Sequence, residues 1–311
     1  MELRHLRYFV TVAEQKSFTR AAAKLGIQQP PLSQQIQALE TELGVLLLER
    51  LPRGVELTAA GAAYLREARD VLERVASANE LARATAAGLE GSITVGFVNS
   101  AIAHAHVHTL IRTFANTYPK VRLKYAESYA AELIAAVAER TTDIAFVRNI
   151  VHRPPTLEYR KLGAEDVYLV LPKNHAALTL KPARGSNRRN APPAIPIAKL
   201  ANDPFILVRR AGDTGLYTEL LTLCESQGFL PAIAAEVLRV TTAIGLVAAG
   251  AGVSAVPSSM VGFGSAGVAF RPMVKAERLS SPLSMVTRAD DIQPIVKNFI
   301  ALTLANKRSY G

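Results

Sequence analysis

The sequence predicts an α/β protein fronted by a small all-α winged helix-turn-helix, with one long helix linking the two parts. Three observations carry this class. Residues 18–44, FTRAAAKLGIQQPPLSQQIQALETELG, read as two helices joined at Gly26 by a very short turn. Residues 59–88 contain no proline and have an alanine-rich helical composition. Beyond Gly91 the apolar pattern changes to short β-runs alternating with helical stretches, the mark of a parallel sheet covered by helices.

At the N-terminus, Leu6, Phe9, Val10 and Ala13 form one apolar stripe able to cover the back of the helix pair. Ser17 is placed to cap the next helix, because its hydroxyl can accept an otherwise orphaned N–H. In that helix Ala22 and Leu25 share a face. The following helix opens on Pro30 and Pro31, where a missing N–H costs nothing in a first turn. Ile36, Leu39 and Leu43 then recur at helical spacing, leaving Ser33, Gln34 and Gln37 on the wet side. An angled helix pair with short hydrogen-bonding side chains near the second N-terminus matches a DNA-reading helix-turn-helix; an ordinary helical hairpin is the alternative. The candidate contacts are Gln29, Pro30, Pro31, Ser33 and Gln34. LLLERLPRGVELTAAG adds a β-wing with Arg53 at its tip, suited to phosphate or to the minor groove.

MELRHLRYFV, AAAKLGIQQPPLSQQIQALE and LLLERLPRGVELTAAG together resemble the LysR-type transcriptional regulators, most of all the branch responding to muconates and chlorocatechol products. The resemblance covers the whole chain in layout and is strongest over the first ~60 residues. It implies a C-terminal clamp like that of periplasmic binding proteins, a dimer of dimers on a long bent DNA site, RNA polymerase as a partner, and no cofactor. The branch usually carries Arg where this chain has Gln34, which exchanges a phosphate or guanine contact for a side chain that pairs best with adenine.

Along residues 59–88, Leu65, Ala68, Leu72, Val75, Asn79 and Ala82 fall on alternating steps of three and four, a coiled-coil seam of about three heptads. Asn79 inside it would fix register. Dimerisation through Leu65, Leu72, Val75 and Asn79 is the expectation; a long helix packed on its own domain is the alternative.

SITVGFV, VRLKYAE and DIAFVR, with helices between them, predict a βαβαβ half. EYRKL, DVYLVLP, FILV, AAEVLRV and GVSAVP, with helices around TELLTLCESQG and TAIGLVAAG, predict a second α/β unit. VAFRP, LSMVTR and the last helix are expected to return to the first half. The division is therefore 1–58 winged helix, 59–90 linker helix and 91–311 effector domain, with subdomain I about 91–162 and 268–311 and subdomain II about 163–267. A cleft between two such halves opens at strand carboxyl ends. Ser100, Arg148, Arg209 and Thr241 stand at or near such ends and are candidate effector contacts for a small organic acid; the resemblance adds Ser128, which stands near Ala130, the position matching a second-strand threonine of those regulators. Ser100 and Arg148 fall on effector-site positions of the resembling regulators, whereas Arg209 replaces a Pro–Ser run of the muconate responders. KPARGSNRRNAPPAIP, residues 181–196, reads as a solvated surface insertion.

Other features point away from different functions. His104, His106 and His108 have no neighbouring carboxylate or cysteine, so a polar helix face is preferred to a metal site. The lone Cys224 excludes an internal disulfide and, lacking a resolving thiol, reads as a packed side chain. No nucleophile–base–acid set suggests an enzyme, and the GAG from Gly250 to Gly252 reads as a helix end and turn instead of a phosphate loop, because it leads into a strand. A transport solute-binding protein would need an export signal where MELRHLRYFV stands. The longest apolar stretch, Ala243 to Val256, is broken by glycines and falls short of the roughly 18 residues of a membrane span. With 49% hydrophobic and 20% charged residues, a folded cytoplasmic protein is expected; a net charge of +10 favours a polyanionic partner.

Overall fold

The computed structural model describes residues 1–52, 54–148, 150, 153–179, 192–209, 215–264 and 266–307, with side chains to 305. Arg53 and much of the expected 181–196 insertion lie outside these residues. The chain forms two units, Met1–Ala86 and Ala87–Gly311.

In the first unit, α1 (Leu3–Gln15), α2 (Phe18–Leu25) and α3 (Gln29–Leu43) precede the hairpin of β1 (Leu48–Leu51) and β2 (Gly54–Leu57), followed by α4 (Ala59–Ala86). The Ser17 hydroxyl accepts the Arg20 N–H at 3.4 Å, capping α2. Gly26 ends α2 in the left-handed region (φ 67°), a turn that a side chain would strain. The core joins Leu6, Phe9 and Val12 to Ala21, Ala22, Leu32, Ile36 and Leu39. Two expectations are corrected here. Val12 takes the buried place on α1 while Val10 is half-buried, and on α3 the buried line is Leu32, Ile36, Leu39, leaving Leu43 37% exposed in the last turn.

The first half of α4 does not stand free. Ala68 is buried in the same core, and Tyr64, Leu65 and Leu72 pack against it. A Cβ on Gly61 would lie 1.9 Å from the Leu47 carbonyl oxygen, so the helix seats directly on backbone. The expected seam at Leu65 and Leu72 is thus corrected: helical spacing turns those two positions toward the unit's own core. Val75 is half-buried and Asn79 is exposed.

The second unit runs β3 (Gly91–Phe97), α5 (Asn99–Ile102), α6 (Ala105–Thr117), β4 (Val121–Glu127), α7 (Ala130–Ala138), β5 (Ile144–Arg148) and β6 (Leu157–Pro172). It continues with β7 (Pro204–Val208), α8 (Leu216–Ser226), β8 (Ala232–Val237), α9 (Val240–Ala248), β9 (Ser254–Pro257), β10 (Val268–Pro272), β11 (Ser280–Arg288) and α10 (Pro294–Lys307). β3 pairs in parallel with β4 and β5, as the βαβαβ reading requires. β11 lies antiparallel between β5 and β6. β7 and β8 form a separate parallel pair, bridged to Val253 through Phe205.

Two expectations differ from the structure. EYRKL and DVYLVLP are one 16-residue strand, β6, whose first part pairs with β11 and whose last part pairs with β9 and β10. VAFRP accordingly joins the second half, Val268 opposite Pro172, and β11 alone of the two closing strands returns to the first. Each half has its own core. Val95, Phe114, Phe146, Met285 and Phe299 centre one, and Leu169, Leu171, Phe205, Leu207 and Cys224 centre the other.

Candidate DNA interface and effector cavity

On α3, Gln29, Pro30, Pro31 and Gln34 are exposed, and Ser33 is half-buried. Two of these side chains are held in place. Gln29 Oε1 accepts from the Thr19 hydroxyl of α2 at 3.2 Å. Ser33 Oγ accepts from Arg50 Nη2 at 2.8 Å, and the Arg50 guanidinium lies 4.8 Å from the centre of the Phe18 ring. Arg50 thus ties the wing to the reading helix. Sequence reasoning passed over it because a strand arginine 17 residues from Ser33 carries no local signal. Gln34 stays on the solvent face.

In the second unit a cavity of about 320 Å³ lies at the carboxyl ends of β3, β4, β5, β7 and β8. Ser100, Ser128 and Arg148 line it, together with Glu127, Tyr217 and Arg239. The first residues of α7, α8 and α9 also face it, and helix N-termini carry partial positive charge and unpaired N–H groups. Three of the five expected effector contacts are therefore brought together. Two are not. Thr241 is exposed and is not part of the cavity wall. Arg209 lies behind the wall: its guanidinium stacks 4.6 Å from the Tyr217 ring centre and donates to Glu236 at 2.8 Å, which raises its pKa.

Arg148, 6% exposed, closes β5 and is bonded from several sides through its two terminal nitrogens, while its buried Nε has no partner among the described residues. Nη1 donates to the carbonyl and hydroxyl oxygens of Ser281, both at 3.1 Å. Nη2 reaches the Ser100 carbonyl at 3.3 Å and forms an ion pair with Glu165. Burial lowers the Arg148 pKa, and the Glu165 carboxylate opposes that shift. Glu165 is in turn fixed by the Ser259 N–H at 2.7 Å and by the Ser258 and Ser259 hydroxyls, each at 2.9 Å. Across the cavity, Arg239 donates to Glu127 Oε1 at 2.7 Å in a half-exposed ion pair. Ser128 donates to Glu132, closing the first turn of α7.

The histidines divide instead of sharing a polar helix face. His104 interrupts the expected helix and caps α6, its Nδ1 accepting from the His106 N–H at 3.1 Å. His106 is buried and His108 exposed. Burial lowers the pKa of both His104 and His106. Cys224 is fully buried, and burial pushes its thiol up to about 11, which keeps it protonated and unreactive at neutral pH.

A DNA-reading winged helix followed by a small-molecule cavity in an α/β clamp defines a ligand-responsive class of transcriptional regulator. The family model "Bacterial regulatory helix-turn-helix protein, lysR family" matches residues 3–62, and "LysR substrate binding domain" matches residues 86–308. The chain belongs to the LysR family of transcriptional regulators; it is not an enzyme. It is 36% identical to the uncharacterized HTH-type transcriptional regulator YnfL of Escherichia coli (strain K12), over 96% of each chain. It is 35% identical to the HTH-type transcriptional regulator BudR of Raoultella terrigena, over 97% of this chain and 100% of that one. Among solved structures, CbnR superposes with a TM-score of 0.83 at 32% identity, covering 97% of this chain and 100% of CbnR. Full-length CbnR complexed with its target DNA gives 0.81 at 31%, covering 99% and 100%. Among the described residues, no helix is long and apolar enough to cross a membrane.

Proposed function

We propose that this regulator senses a small organic anion, an aromatic acid or a ring-cleavage dicarboxylate, and answers by changing DNA bending and transcription at a promoter. The observation that carries the sensing half is the cavity itself: two guanidinium groups and the first residues of three helices meet around about 320 Å³, a volume at the small end for ligand sites. Ser100, Ser128 and Arg148 shape its wall, Arg239 offers the more accessible cation, and Arg209 acts at one remove by holding Tyr217. On the DNA side, Gln34 reads a base edge, Gln29 and Ser33 set the register of α3 with Pro30 and Pro31 opening the helix, and Arg53 meets the backbone or minor groove. The assembly is a cytoplasmic dimer of dimers, joined through the part of α4 that includes Val75 and Asn79, and it works with RNA polymerase at the promoter.

The test is a thermal-shift screen of small organic acids on the full chain, followed by DNA-bend measurement with any acid that binds. A ligand at 100 times its Kd adds about 2.7 kcal/mol of stability, a readily measured rise in melting temperature. Binding should shift a pre-existing equilibrium and so alter the bend. No stabilising acid, or a bend angle indifferent to a bound one, rejects the proposal.

A further inference from the structure

We infer that the cavity selects a singly charged acid, a monocarboxylate, and that Glu127 enforces the choice. The inference rests on the anion-sensing reading of this cavity and narrows it. Among the described residues, the charged side chains lining the cavity are Arg148, Arg239 and Glu127. Arg148 is not available to a ligand as a spare charge. Its buried partner Glu165 is locked by one N–H and two hydroxyls of Ser258 and Ser259, and the remaining Nη contacts go to Ser100, Ser259 and Ser281. Breaking such a buried pair leaves an uncompensated charge, which is strongly unfavourable.

Arg239 is different. Its pair with Glu127 is open to solvent, the two side chains being 55% and 38% exposed, and such a pair is worth little. An incoming carboxylate can take the Arg239 guanidinium at small cost, while Glu127, anchored at the end of β4, remains in the wall. The two arginines are matched by Glu165 and Glu127 before any ligand enters. The helix N-termini of α7, α8 and α9 supply partial positive charge for one further anion. A second carboxylate in so small a space would face Glu127 with no unmatched cation among the described residues, a like-charge contact that disfavours its ionised form.

The test is titration calorimetry on the full-length protein at neutral pH with matched acids: butyrate and succinate, hexanoate and adipate, benzoate and phthalate. In the native protein the monoacid of the best-binding pair should bind at least about tenfold more tightly than its diacid. Glu127→Gln should narrow that preference about tenfold, and Glu127→Ala should move it the same way. A diacid that binds more tightly to the native protein, or a preference unmoved by both variants, overturns the inference and leaves anion sensing intact. If none of the six acids binds, anion sensing itself fails and this inference falls with it.

Discussion

Gln34 sits on the solvent face of α3 with its neighbours pinned, Gln29 by Thr19 and Ser33 by Arg50. A base-reading side chain on a fixed platform should act at one base pair. Gln34→Ala is therefore expected to cost about 1–3 kcal/mol at a single operator position, with little change on random DNA. Arg53→Ala should instead weaken binding to every sequence and flatten the salt dependence by about one unit of slope. Filter or fluorescence titrations on operator variants at several salt concentrations check both; equal losses on specific and random DNA for the two variants would remove Gln34 from base readout. At this scale the sequence was informative about positions and poor about partners. Ser100 and Arg148 follow from strand ends, and Ser128 from the family resemblance. Their meaning depended on Glu165, a mid-strand carboxylate that no spacing rule connects to Arg148, and on Arg239, whose role arises only when β8 and β4 end at the same cavity. Arg209 was misjudged for the same reason: a guanidinium after a strand gives no sign that Glu236 and Tyr217 already hold it.

Elements were more legible than their partners. Each helix of the first unit follows from periodicity and caps, because those signals are local; β6 did not, because a strand that leaves one sheet and enters another looks like two short strands split at Gly163. VAFRP pairs in the other half from the one its sequence suggests, since pairing is a long-range property and its alternation is the same on either sheet. The same limit governs α4. Its heptad spacing is genuine, but the first turns of the seam spend their apolar surface on Phe9's core. What α4 leaves outward includes Val71, 43% exposed, and Leu81, 50% exposed, with Val75, Ala78 and Ala82 continuing from Val71 in steps of four, three and four. Val71→Asp should therefore lower the oligomeric state without unfolding the first unit, whereas Leu72→Asp should do both. Light scattering at micromolar concentration, paired with circular dichroism, distinguishes them. Undiminished mass for Val71→Asp would move the interface away from this stripe.

For the whole molecule, the basic excess is not where DNA is read. Residues 1–86 carry 11 Lys and Arg against 10 Asp and Glu, leaving 25 against 16 for the rest. The net charge that suggested a polyanionic partner thus belongs mostly to the second unit, and four of its cations, Lys181, Arg184, Arg188 and Arg189, fall in the expected surface insertion. If that insertion is solvated surface, replacing all four by Ser should leave operator affinity and its salt slope unchanged. A slope flattened by several units would put the segment on phosphates. The mechanics of the second unit follow from β6. Where two lobes are linked by loops, they swing against almost no resistance and a ligand merely latches them. Here one continuous strand, with an irregularity in its pairing at Leu162, is a rail common to both sheets, hydrogen-bonded to β11 at one end and to β9 and β10 at the other. Relative motion of the lobes has to wind that rail like a torsion bar. The regulator should accordingly respond through small, elastic rotations that spring back when the ligand leaves, giving a signal as reversible as the occupancy that drives it.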